Sequence, residues 1–197
     1  MKITNVGFNY CVVAMDYQKS NFSRLRDEWR KNGCIMWKLP GSTKVDDIKQ
    51  KSNMTISKFK EGTVIYFYVT NLPASNQNSV EARILLRGVV CKEPQPMKYE
   101  EVYFKSPDFE KDDMIYGFAI NHLSTFSASD LQDDSMYNVN ELKQNDPAIA
   151  EIQGNKFPNS MSMPLSIELI SRLEESFCRE VDEQAFEQLI DYFSETV

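Results

Sequence analysis

His122, the one histidine of the chain, is the first residue to consider for acid–base chemistry. It stands in the stretch AINHLSTF, two residues before Ser124, so it could pair with that serine or with an aspartate. A serine nucleophile needs an activating base and a defined local context such as a nucleophile elbow, and no such motif surrounds this pair. We therefore interpret His122 as a structural or surface residue and predict no catalytic residue in this chain.

Three pairs of adjacent aspartates could hold a divalent cation or share a proton. They are Asp46–Asp47, Asp112–Asp113 and Asp133–Asp134. Carboxylate oxygens suit calcium and magnesium, but each pair stands in a polar stretch typical of solvated turns and helix caps, so we predict no metal site. The seven glycines are scattered singly, and neither GxGxxG nor GxxxxGK[ST] occurs. We therefore predict no nucleotide cofactor.

The composition is that of an ordinary globular protein, with 42% hydrophobic and 26% charged residues among 197. This length fits one domain with or without an appendage, and no apolar run reaches the roughly 20 residues that a membrane span needs. The four cysteines lie far apart, as is typical of free thiols in a reducing compartment, so we predict a cytoplasmic protein without membrane association. The net charge of −7 argues against non-specific coating of nucleic acid, although a local basic face remains compatible with it.

A β-rich core with helices near both ends must position any functional residues. Runs rich in β-branched and aromatic residues predict strands over residues 5–15, 34–39, 64–69, 80–90, 101–104 and 114–120. Helical spacing of apolar residues predicts helices from Ser20 or Asn21 to Gly33, over residues 43–51, 164–177 and 182–193. The sequence therefore predicts an α+β protein.

The strand GTVIYFYVTN, residues 62–71, is the predicted centre of that core. Both of its alternating sets of side chains are apolar or aromatic, so we expect both faces to be covered. Gly88, inside the return strand, predicts a bulge or a close approach of the backbone to another group. The first C-terminal helix should cover the core, and the second, which is acidic, should dock loosely or meet a partner. We therefore predict a domain over residues 1–178, with 179–197 as a C-terminal helix or linker.

Two blocks of the sequence resemble known families. The run MWKLPGSTKVDDIK resembles the opening of EVE domains, a branch of the PUA-like group, with Trp37, Lys38, Pro40 and 46–48 in the family's order. The block KEGTVIYFYVTN followed by ARILLRGVV resembles the same family's central strand and its glycine-bearing return strand, and is similar to the strand pair of YTH domains. The resemblance covers roughly residues 34–178, and the N-terminal strand and helix form an extension before it.

The resemblance implies a distorted β-barrel surrounded by helices, and recognition of a modified base flipped out of a nucleic acid. An extruded base needs aromatic surfaces for stacking and polar groups that read its edge. The implied pocket residues are Trp37, Tyr68, Asn71, Tyr103 and Phe104. The residues expected to contact the phosphate backbone are Lys38, Arg83, Arg87 and Lys92.

Three functional classes follow from these observations. The first is a reader of modified DNA or RNA, as the specificity part of a modification-dependent restriction or defence system that works with an effector nuclease or translocase. The second is a hydrolase or nuclease, because PUA-like relatives of the ASCH type include such enzymes. The third is a protein-interaction or oligomerisation module that uses the C-terminal helices. The reader is the function that the resemblance favours.

Overall fold

The protein has an α+β fold built on one mixed β-sheet, as the sequence predicts. The computed structural model describes residues 10–16, 22–39, 59–70, 83–102, 109–125, 163–164, 167–177 and 179–194. The elements are β1 (Tyr10–Asp16), α1 (Phe22–Asn32), β2 (Ile35–Lys38), β3 (Val64–Thr70), β4 (Arg83–Lys98), a 3-10 helix (Tyr99–Glu101), β5 (Met114–Thr125), β6 (Met163–Pro164), α2 (Ile167–Ser176), β7 (Arg179–Glu180) and α3 (Glu183–Ser194).

The described strands form a seven-stranded sheet in the order β2-β5-β4-β3-β1-β6. β1 and β3 run parallel, whereas all other neighbours are antiparallel. β7 pairs with the last two residues of β5, beyond the end of β2. Within the described strands the path is open, with β2 at one end and β6 at the other. None of the helices in these ranges has the length and apolar character needed to cross a membrane.

The central strands follow the sequence predictions closely. β3 buries four consecutive residues from Val64 to Phe67, so both of its faces are covered as expected. Gly88 of β4 lies opposite Ile65, and a β-carbon at Gly88 would lie 2.4 Å from Cγ2 of Ile120. The predicted close approach at Gly88 is confirmed, and the register between β4 and β5 shifts around it.

Several predicted boundaries are wrong. The strands predicted over residues 80–90 and 114–120 extend further, to Lys98 and Thr125. Glu101 belongs to the 3-10 helix and not to a strand, because the N–H of Val102 turns back to the Tyr99 carbonyl at 3.2 Å. Pro164 belongs to β6, where it pairs with Cys11, and α2 begins only at Ile167. The predictions for residues 5–9, 43–51 and 103–104 lie outside the described residues.

Helix α3 is an integral part of the hydrophobic core. Asp182 caps it by accepting a hydrogen bond from the N–H of Ala185 at 2.8 Å. Phe186 and Leu189 are fully buried, and the Phe186 ring lies 5.5 Å from that of Trp29 in α1. The expectation that this helix docks loosely is therefore wrong, because its apolar face is packed against α1. The boundary predicted at residue 178 stays a prediction.

Candidate functional site

Trp37, the predicted wall of the base pocket, lies within the apolar core. Its ring centroid is 5.0 Å from that of Phe67, and its backbone pairs with Phe118 of β5. Only 4% of its surface is exposed. A base could stack on this ring only if a neighbouring group moved, so the role of Trp37 in a pocket stays a prediction.

The remaining predicted pocket residues cannot be assembled around Trp37 from the described chain. Tyr68 belongs to β3, and its backbone pairs with that of Ile84, one residue from the pair of Val69 with Arg83. Asn71, Tyr103 and Phe104 lie outside the described residues. Their roles also stay predictions.

Three of the four predicted phosphate contacts project from one face of the sheet. Lys38 of β2, Lys92 of β4 and Arg87 of β4 lie opposite Gly117, Ala119 and Ser124 of β5, respectively. Residues opposite each other in an antiparallel pair project from the same face, and alternate residues of a strand share a face. Lys38 therefore points to the side opposite Trp37, and its Nζ lies 5.1 Å from the ring centroid of Phe109.

A β-bulge at His122 sets which residues of β5 share that face. Between two paired positions, β5 runs three residues from Asn121 to Ser124, whereas β4 runs two, from Val89 to Arg87. β5 therefore has one extra residue in this interval. We assign it to His122, because its φ of 46° is the only positive value outside glycine in the described chain. Asn121 and Ser124 consequently both point to the face that carries Arg87.

A hydrogen-bonded triad links this face to α2. Tyr66 of β3 lies opposite Arg87, and its hydroxyl donates to Oε1 of Glu174. Arg87 donates from Nε to Oε1 of the same carboxylate at 2.7 Å and from a terminal nitrogen to Oε2 at 3.1 Å. This two-pronged contact is the strong geometry for an arginine–carboxylate pair. We call Tyr66, Arg87, Asn121, Ser124 and Glu174 the polar cluster.

Tyr66 and Arg87 of the triad both keep their protons at neutral pH. Burial raises the pKa of Tyr66, and its hydrogen bond to the Glu174 carboxylate raises it further. For Arg87, burial works to lower the pKa, but the hydrogen bond and the charge of Glu174 outweigh it and the pKa is raised. Tyr66 therefore stays a neutral donor and Arg87 a cation, which matches the single negative charge of the carboxylate between them.

Two side-chain oxygens of the polar cluster have no partner. Oδ1 of Asn121 and Oγ of Ser124 are the buried side-chain atoms without a hydrogen bond in the described part of the chain. Leaving such an atom unpaired costs about 1–3 kcal/mol, so native proteins seldom do it without a reason. Oγ of Ser124 makes no hydrogen bond to His122 within the described residues.

Sequence reasoning singles out Arg87 and Ser124 but does not bring the members of the polar cluster together. Arg87 is predicted to contact phosphate, and in the structure it pairs with Glu174 and exposes 18% of its side chain. Tyr66 was predicted to be core, and it is buried with its hydroxyl in the triad. The pairing of Glu174 with a strand 87 residues earlier has no local signal in the sequence. No group of three or more metal-ligating side chains converges within the described ranges.

Comparisons with known proteins identify weak structural similarity only. No family model matches the chain, and no curated protein matches it in sequence. It is similar to a structural-genomics protein from Pseudomonas putida, with a TM-score of 0.49 and 13% identity over 84% of this chain and 97% of that one. One from Pseudomonas syringae gives a TM-score of 0.48 and 14% identity over the same shares, and a hypothetical protein from Leishmania major gives 0.36 and 12% over 85% and 95%. Similarity this weak assigns neither a family nor an activity to the chain.

Proposed function

We propose that this chain is a nucleic-acid-binding domain that recognises a modified base flipped out of its stack. The observation that carries the proposal is the register of β2, β4 and β5. Lys38, Lys92 and Arg87 project from one face, and the unpartnered polar groups of Asn121 and Ser124 project from the same face. Positive charge beside unsatisfied hydrogen-bonding groups suits a ligand that carries both phosphates and a polar ring edge.

Electrostatics favour a confined contact and not a general affinity for nucleic acid. The chain carries a net charge of −7, so phosphates are attracted only where cations gather. Lys92 is exposed and Lys38 is partly exposed at the surface of this face. Arg87 is held by Glu174, so a phosphate would have to compete with that carboxylate for the guanidinium. Lys92, which is exposed, is therefore the first candidate for phosphate contact.

The same proposal includes a PUA-like arrangement of the sheet. A barrel-like fold requires strands that bend, and bulges are the usual means of bending them. The β4–β5 pair has register shifts at three points along its length, between Arg87 and Val89, between Val90 and Lys92, and between Lys92 and Gln95. These shifts support a curved sheet of the kind that the resemblance to EVE and YTH domains implies.

A binding screen tests the proposed function. The parent protein is titrated with duplexes and single strands that contain N6-methyladenine, 5-methylcytosine, 5-hydroxymethylcytosine or no modification, at two salt concentrations. We expect tighter binding to one modified base than to its unmodified counterpart. Equal affinity for all strands at both salt concentrations would contradict base recognition.

Variants that remove a positive charge test whether the face that carries Lys38 and Lys92 contacts phosphate. Lys38→Gln and Lys92→Gln should each weaken binding to all strands alike, and each should reduce the salt slope by about 1. Lys31→Gln, at the exposed end of α1, is the matched control and should change neither quantity. If Lys31→Gln weakened binding as much as the two test variants, the contact would lie on another surface.

A further inference from the structure

We infer that Asn121 and Ser124 form the base-reading site, on the sheet face opposite Trp37. This inference rests on the proposed function and names the groups that would read the base edge. Stacking on Trp37 is the alternative that the sequence predicts. The two alternatives use opposite faces of the same strands, because Trp37 and Lys38 are adjacent in β2 and point to opposite sides.

The first argument is that Asn121 and Ser124 carry oxygens for which the described residues supply no hydrogen-bond partner. Ser124 is only 8% exposed, and its Oγ has no hydrogen bond. Oδ1 of Asn121 lacks a partner as well, and the bulge at His122 brings both side chains to one face. Bulges and positive φ values outside glycine are concentrated at functional sites because they re-aim side chains at some cost in stability. Here the cost is a strained backbone and two unpaired oxygens in one short segment.

The second argument is that the two charged residues of the polar cluster are partly exposed to solvent. Arg87 and Glu174 expose 18% and 34% of their side chains, whereas Tyr66 beneath them is fully buried. The Arg87 guanidinium is held by a carboxylate, whose two oxygens resemble two oxygens of a phosphate. Ser124 lies directly opposite Arg87, so a nucleotide whose phosphate replaced Glu174 on Arg87 would bring its base close to Ser124.

The chemistry of the two groups defines the ligand. An amide oxygen accepts a hydrogen bond, and a hydroxyl both donates and accepts. Together they complement a flat ring that presents an amino group next to a ring nitrogen, as adenine and cytosine do. Val89 lies directly opposite Asn121 and is partly buried, so it offers an apolar neighbour for a methyl group on that ring or on its amino group. We therefore expect an amino-bearing base, methylated or not, to be the ligand class.

The test compares Ser124→Ala with the parent and with a control at a neighbouring buried hydroxyl. Ser124→Ala removes an unpartnered oxygen, so the melting temperature should stay the same or rise by about 2–4 °C, the shift that about 1 kcal/mol produces in a chain of this size. The same change should weaken binding of the preferred modified oligonucleotide about tenfold, the loss of one hydrogen bond. Thr125→Val alters a buried hydroxyl residue that does have a partner. It should lower the melting temperature and leave the base preference unchanged.

Asn121→Ala is a second variant that tests the same site, and free nucleosides are a second kind of ligand. Adenosine, N6-methyladenosine, cytidine and 5-methylcytidine are tested by ligand-detected NMR with the parent and both variants. Loss of nucleoside binding in both variants, with folding retained, supports the inference.

The outcomes separate this inference from the proposed function. If the parent prefers a modified base and Ser124→Ala keeps that preference, the site lies elsewhere and the proposed function stands. A lower melting temperature of Ser124→Ala with unchanged binding would identify a structural water that bridges the two oxygens, and would overturn the inference. If nucleosides bind at this site but no oligonucleotide is preferred, the site is correct and the flipped-base function is wrong. Binding of neither probe overturns both.

Discussion

The two faces of the sheet around β5 differ in how completely their side chains are satisfied. On one face, Trp37, Phe67 and Phe118 pack into a single apolar cluster together with Ile120 and are almost completely buried. On the other face, the polar cluster joins a strong arginine–glutamate–tyrosine triad to two oxygens that have no partner. Trp37, the tryptophan that suggests a binding pocket, is thus packed against Phe67, and the unmet hydrogen-bonding capacity of the described residues lies on the opposite face.

This difference teaches that burial alone does not locate a site. A buried tryptophan gains from being enclosed, because apolar surface is removed from water. A buried serine or asparagine gains nothing from enclosure unless it is hydrogen-bonded. The face with unsatisfied groups therefore gives the stronger reason to expect a ligand.

The largest expected effect tests how far the apolar region extends. A chain that ends at Cys178 lacks α3, and the apolar surface buried by Phe186 and Leu189 would be exposed. We expect this truncated protein to lose cooperative unfolding, monitored by circular dichroism during heating. A chain that ends at Ser194, just after α3, is the control and should fold. A stable, cooperative domain over residues 1–178 would show that α3 is an appendage and that the core is smaller than described.

The next effect separates a core tryptophan from a pocket wall. Trp37→Ala and Phe67→Ala should each lower the free energy of unfolding by about 3–5 kcal/mol, because both remove large buried side chains that contact each other. Urea denaturation measures this for each variant. If Trp37→Ala retained nearly full stability but lost the preference for a modified base, the tryptophan would be the pocket wall and the comparison of the two faces would be reversed.

A smaller effect is expected from the triad of the polar cluster. Glu174→Gln keeps the shape of the side chain but removes the charge that holds Arg87 and Tyr66, and should cost about 1.5–3 kcal/mol in unfolding free energy. Glu175→Gln, at the exposed neighbouring position of α2, is the matched control and should cost less than about 0.5 kcal/mol. Equal costs for the two variants would mean that the triad contributes no specific stability.

The smallest effect is a dependence on alkaline pH. The folded protein raises the pKa of Tyr66 above its ordinary value of 10.0, so the stabilisation is fully present below that pH. Above it, the unfolded chain releases the phenol proton while the folded chain keeps it, so stability falls with rising pH by at most about 1.4 kcal/mol per pH unit. Urea denaturation from about pH 8 to 11 should show a shallower decline for Tyr66→Phe than for the parent. Identical slopes would show that Tyr66 is not held by burial and Glu174, since all other tyrosines are common to both proteins.

Much of the central sheet could be predicted from local sequence. The strand at residues 64–70 and its return strand follow from β-branched and aromatic residues, and the special role of Gly88 follows from a glycine inside a strand. The end of α1 at Gly33 could also be predicted, because a glycine after a helical run favours the left-handed conformation that ends a helix. In the structure Gly33 has a φ of 64°, and its N–H donates to the Trp29 carbonyl at 2.8 Å. Pro164 pairs with Cys11 of a strand far away in the chain, which no local pattern indicates, and Glu101 belongs to a 3-10 turn closed by the N–H of Val102 and the Tyr99 carbonyl.

The candidate site could be predicted only in part. Arg87 and Lys38 were recognisable as cations on strands, but nothing local fixed which face each occupied. The bulge at His122 rotates the end of β5 by one residue, and a shift of one residue exchanges the two faces of a strand. Alternation along the sequence alone would thus have put Asn121 and Ser124 on opposite sides.

By itself, the sequence determined the elements and their apolar character, because helix stops, strand composition and glycine positions act within a few residues. The tertiary structure alone decided that Trp37 faces Phe67, that Glu174 binds Arg87 and Tyr66, and that Asn121 and Ser124 share a face without partners. These contacts join residues that are far apart in the chain. Their geometry depends on strand order, register and a single bulge, and those are fixed by packing over the whole sheet.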